Sequence, residues 1–124
     1  MTHKILIVED NENNRNLFRD ILEFHGYAVT VATDGQEGVA MASELMPDLI
    51  LMDIQMPGMD GMTATQMLKK DPATSGLKII ALTSFAMQAD QEKFLAAGFD
   101  GYLSKPINTR ELPGLMQQWL EATV

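Results

Sequence analysis

Apolar and polar positions alternate along this chain in two different periods. Short apolar runs read as strands: "KILIV" at 4–8, "DLILM" at 48–52, "KIIAL" at 78–82 and "GYLS" at 101–104. A weaker run, "YAVTVA" at 27–32, alternates apolar with polar residues as an edge strand does. Between the runs the period changes to that of a helix. Leu17, Phe18, Ile21 and Leu22 share one face of a first helix that stops near Gly26. Asp34 followed by Glu37 has the form of a capping box and opens a second helix, which ends before Pro47. Gly61 to Lys70 is a short third helix, and residues from about 87 to 97 form a fourth that stops at Gly98. In the fifth, Leu112, Leu115, Met116 and Trp119 sit at i, i+3, i+4 and i+7, a core stripe. If Thr109 caps that helix, Pro113 removes an amide and Gly114 adds entropy, so its first turn is weak.

Five strands alternating with five helices specify a doubly wound parallel sheet with helices on both faces, because right-handed crossovers leave little else. The expected fold is a flavodoxin-like (βα)5 domain of strand order 2-1-3-4-5. Repeats and linkers are absent from the sequence, so one domain, 1–124, fills the chain. In such sheets ligands bind at the carboxyl ends of the strands, where the strand order reverses. Polar side chains collect at those ends. The first strand runs into Glu9-Asp10, the third into Asp53, the fourth into Thr83-Ser84 and the fifth into Ser104-Lys105-Pro106. Asp53 alone is explicable as a strand cap, and Glu9-Asp10 as a helix cap. Four coincident ends favour a site.

Composition narrows the chemistry. With no cysteine among 124 residues there is no disulfide, thiolate nucleophile or Cys-ligated metal, which fits a reducing compartment. The net charge of -8, with scattered basic residues, argues against nucleic acid and anionic membranes as direct partners. No signal peptide or membrane-spanning run is present, and a cytoplasmic location is expected. The ten methionines read as gap-filling core and loop residues. His3 and His25 lack the surroundings of a phosphohistidine donor. Three carboxylates meeting at one crevice repel one another, so one pKa rises or a hard cation enters. With Lys105 and the Thr83 hydroxyl nearby, these are the parts needed to move a phosphoryl group onto Asp53.

The sequence resembles the receiver domain of two-component response regulators over essentially its whole length. The motifs that carry the resemblance are "ILIVEDN" (5–11), "DLILMDIQMPGMDG" (48–61), "IIALTS" (79–84) and "GYLSKPI" (101–107). The resemblance implies that Asp53 is the phosphoacceptor. Glu9, Asp10, Asp53 and the Gln55 backbone carbonyl would surround Mg²⁺, with Mn²⁺ as a substitute. It makes Thr83 the hydroxyl that follows the phosphoryl group, Lys105 its ion-pair partner and Tyr102 the aromatic that switches with it. Lys105-Pro106 corresponds to the family's cis peptide. Gln55 and Phe85 lie where the family varies and bear on the lifetime of the acyl phosphate. The donor would be a histidine kinase or histidine phosphotransfer protein, and the output a downstream protein target.

The chain ends soon after the fifth helix, so it reads as a stand-alone receiver, nearest the cell-cycle type. Such a protein is not a general enzyme; it catalyses only its own phosphorylation and dephosphorylation. Two rivals stay open. One is a metal-dependent phosphatase with an aspartate nucleophile, although Gln55 stands where a general acid would be needed. The other is a binding module of receiver shape that works without phosphate.

Overall fold

A computed structural model describes residues 2–84 and 88–121. The elements follow the expected alternation: β1 (Lys4–Val8), α1 (Glu12–Phe24), β2 (Ala28–Ala32), α2 (Gly35–Leu45), β3 (Leu49–Asp53), α3 (Gly61–Lys70), β4 (Ile79–Thr83), α4 (Gln88–Ala97), β5 (Gly101–Ser104) and α5 (Leu112–Glu121). All strand pairs are parallel, in the order β2-β1-β3-β4-β5. This is the doubly wound architecture expected from the sequence.

The alternation of side chains along each strand builds two cores. Ile5, Ile7, Leu49, Leu51, Ile80, Leu82 and Leu103 pack with Phe18 and Leu22 of α1 and with Leu112, Met116 and Leu120 of α5. On the other face Leu6, Val8, Ile50, Met52, Ile79 and Ala81 meet Ala42 of α2, Ala64 and Leu68 of α3, Phe94 of α4 and Phe99. Every residue of β3 and β4 is buried, as two-sided packing of a parallel sheet requires. The edge strand β2 alternates between exposed and partly buried positions over its first four residues.

Three details differ from the sequence expectation. β3 and β4 each start and end one residue later than the apolar runs, so Asp53 and Thr83 are the last strand residues. Asp48 is held out of β3 at a polar junction, where its carboxylate accepts from the Lys4 amide at 2.7 Å. The Glu37 carboxylate reaches back to the Thr33 amide (3.0 Å) rather than to Asp34, while Asp34 accepts from the Glu37 amide at 2.8 Å. The third concerns α5. Asn108, not Thr109, organises its entry: its carbonyl accepts from Glu111 and Leu112, and its side chain accepts from Arg110. The helix proper begins at Leu112, so Pro113 falls in the first turn, where an amide has no intrahelical acceptor to lose.

Candidate functional site

Residue parity decides which side of the sheet each strand end faces. Glu9 continues the row of Ile5 and Ile7, Asp53 that of Leu49 and Leu51, and Lys105 that of Leu103, all on the α1/α5 face. Thr83 continues the row of Ile79 and Ala81 on the opposite face, where Tyr102, paired with Ala81, also packs. β1 and β3 are neighbours, yet the helices that follow them, α1 and α3, lie on opposite faces, so a crevice opens between their carboxyl ends.

Glu9, Asp10 and Asp53 converge there, each offering a carboxylate oxygen within 4.8 Å of the others. Glu9 and Asp53 are buried and Asp10 is exposed. The Lys105 ammonium bridges the buried pair, 3.0 Å from Glu9 Oε2 and 3.2 Å from Asp53 Oδ1. The Gln55 amide donates to Asp53 Oδ1 at 3.2 Å. Glu9 also accepts from the Asn11 amide (3.4 Å) and from Asn14 Nδ2 (3.5 Å). The Lys105–Pro106 peptide bond is cis.

One lysine does not balance three carboxylates. Burial, then the charge of Glu9, push the Asp53 carboxyl up to about 7, against the lowering pull of Lys105. Burial alone would lower the Lys105 ammonium, but its bonds to Glu9 and Asp53 outweigh that and raise it. Such a carboxylate calls for a further positive charge at neutral pH. Clustered oxygen donors and no sulfur or imidazole suit a hard divalent cation that keeps several waters.

The loop after β3 closes tightly behind this site. Asp60 caps α3, accepting from the Thr63 amide at 2.8 Å, and the Gly61 amide donates to the Ile54 carbonyl at 3.1 Å. A Cβ on Gly61 would stand 2.1 Å from the Asp53 carbonyl oxygen, so only glycine permits this return. The motif "MPGMDG" is thus a turn, a cap and a close approach in six residues.

Among the residues singled out from the sequence, Glu9, Asp10, Asp53 and Lys105 come together, with the Gln55 backbone beside them. Thr83 is buried at the end of β4 and Tyr102 is partly buried one strand over. Phe85 lies outside the described residues. Sequence reasoning missed Asn14 and Arg15. Both stand in the first turn of α1, which folds them back over the acidic pair; that spacing was the available signal.

Fold and crevice together define a doubly wound α/β domain with a lysine-bridged acidic site at its topological switch point. The chain belongs to the response regulator receiver domain family, whose profile matches residues 5–117. It is 45% identical over 108 residues to the polar-differentiation response regulator DivK of Brucella ovis, covering 87% of this chain and 88% of that protein. The DivK of Brucella abortus matches equally. Among solved structures it superposes on the receiver domain of the sensor histidine kinase PA1611 from Pseudomonas aeruginosa. That match has a TM-score of 0.89 and 38% identity, over 98% of this chain and 100% of that one. The PA1611 domain was solved with a magnesium ion coordinated in its active-site cleft. The chemotaxis protein CheY4 of Vibrio cholerae gives a TM-score of 0.89 at 29% identity, over 95% and 98% of the two chains. The protein is therefore a receiver domain of two-component signalling, and its acidic crevice fits a phosphoacceptor aspartate with a Mg²⁺ site. Among the described residues no helix is long and apolar enough to cross a membrane.

Proposed function

We propose that residues 1–124 act as a single switch that accepts a phosphoryl group onto Asp53 from a phosphohistidine on a kinase or phosphotransfer protein. The reading rests chiefly on one observation: Asp53 is a buried carboxylate at the end of β3 beside the switch point, flanked by Lys105 and by two further carboxylates. Glu9, Asp10, Asp53 and the Gln55 carbonyl would hold Mg²⁺, or Mn²⁺ in its place. When bound, the ion supplies positive charge to the phosphoryl oxygens during transfer. Lys105 supplies a second, mobile positive charge, released from Glu9 to pair with the new group. Asp53 provides the attacking oxygen, and the Gln55 amide on its Oδ1 holds the carboxylate plane. Gln55 and Phe85 govern water access to the acyl phosphate.

The signal leaves at the β5 edge of the sheet, between α4 and α5. A phosphoryl group adds about two negative charges and strong acceptor oxygens. It draws the Thr83 hydroxyl towards it, and Tyr102 turns into the space beside the small Ala81, which it opposes in the register. The face of α4, β5 and α5 changes, and a downstream protein reads it. The setting is cytoplasmic, with neither nucleic acid nor membrane as direct partner, and turnover of other substrates is not part of the activity. The test is mass spectrometry after incubation with acetyl phosphate and Mg²⁺. Wild type gains one phosphoryl adduct on Asp53 and Asp53→Asn gains none. Undiminished acid-labile labelling of Asp53→Asn overturns the assignment, and multiple turnover of a phosphate ester points to the phosphatase.

A further inference from the structure

Arg15 has a placement that none of the site chemistry uses. It lies in the first turns of α1, where the helix dipole disfavours a cation. Its Nη1 donates to two successive backbone carbonyls, those of Glu9 and Asp10, at 2.9 Å each. These peptide units carry the two acidic side chains of the crevice. Glu9 is also held through its amide, which donates to Ala32 at 3.1 Å, and through its carboxylate on Lys105. The Asp10 carboxylate is exposed, so the backbone from which it grows sets its direction.

We infer that Arg15 is a positioning residue for the cation site: it pins the Glu9–Asp10 turn so that both carboxylates face Asp53. The inference rests on the Mg²⁺ reading given above. Two effects of Arg15 on a cation have opposite signs. Its charge, close to the crevice, repels a divalent ion and weakens binding. Its hydrogen bonds to the turn preorganise the ligands and strengthen binding. Removing the side chain therefore reads out which effect governs, because loss of charge alone tightens the site.

The experiment is a calorimetric titration of the whole protein with Mg²⁺ alone, with thermal melting in EDTA to follow the fold. Arg15→Met keeps the apolar stem and loses both charge and donors. Its Mg²⁺ affinity should fall about tenfold, the lower end of what outer-shell partners of a metal contribute. Arg15→Lys, whose single nitrogen can serve both carbonyls, should recover most of that loss. Should Arg15→Met not fold, Arg15→Leu, which also lacks charge and donors, takes its place with the same reading. Affinity equal to or tighter than wild type in the Met or Leu variant overturns the positioning role. A wild-type protein that shows no Mg²⁺ binding at all overturns the cation site itself, and with it this inference.

Discussion

Two helices flank the sheet at its working edge and are held in different ways. α1 buries Phe18 and Leu22 to 2% and 0% exposure and is capped by Asn11, whose side chain accepts from the Asn14 amide. Its contacts run along its length, and its first turn carries the groups that brace the acidic pair. In α4, Phe94 is the buried side chain among residues 91–97, and Leu95 stands 63% exposed. The contacts of Phe94 continue into the turn after the helix. Phe94 meets Phe99 edge-on at 5.9 Å, and the Phe99 amide returns to the Phe94 carbonyl. Asp100 exchanges two 2.8 Å bonds with Ile79 and pairs with Lys69 at 3.5 Å. α1 thus supports the residues around the acidic crevice on two buried side chains, whereas residues 91–97 of α4 bury one.

The sharpest way to break this contrast is to cut one apolar side chain from each helix. Leu22→Ala should lower the free energy of unfolding by about 2–5 kcal/mol, as buried leucine truncations do. Leu95→Ala should change it by no more than about 0.5 kcal/mol, as exposed substitutions do. Urea denaturation of both variants checks this, and equal losses would mean α4 is supported as firmly as α1.

The next effect separates the charged edge from the apolar interior. The Asp53 carboxyl is raised from 3.8 to about 7 in the folded protein, so between those values the folded state binds the extra proton more tightly. Its contribution to stability is present in full below pH 4 and is lost as pH rises through 7. At 1.36 kcal/mol per unit the loss amounts to roughly 4 kcal/mol at most. Without divalent cations, Asp53→Asn should therefore be more stable than wild type at pH 8 by about 2 kcal/mol. The advantage should shrink towards pH 4 and when millimolar Mg²⁺ is added to the wild type. Melting temperatures across that range test the sign.

The smallest effect concerns α3, which lies against α4. Thr65 is wholly buried, and its hydroxyl has no hydrogen-bond partner among the described residues. Thr65→Val keeps the shape and removes the unsatisfied group, so stability should rise by about 0.5–1 kcal/mol. A loss of that size would instead mean that the hydroxyl is satisfied in solution.

Local periods and the residues that end each apolar run were enough to read the alternation of strands and helices and to put Glu9, Asp10, Asp53 and Lys105 at strand ends. The order 2-1-3-4-5 was expected as the common one for such sheets, and the strand pairing shows it. Boundaries were less legible. Asp53 and Thr83 belong to their strands because pairing with neighbours extends past the apolar run, and Asn108 opens α5 because its side chain and carbonyl both find amides. The electrostatics of the crevice, by contrast, are visible only in three dimensions. Lys105 reaches Glu9, 96 residues away in the chain, as well as Asp53. The rise of the Asp53 carboxyl sums burial with the charges of both neighbours. Arg15 shows the same limit, since a basic residue in an acidic helix turn reads as ordinary surface until two carbonyls are seen on its guanidinium. Periodicity is a property of neighbours in sequence. A carboxylate's charge state depends on every group around it in space.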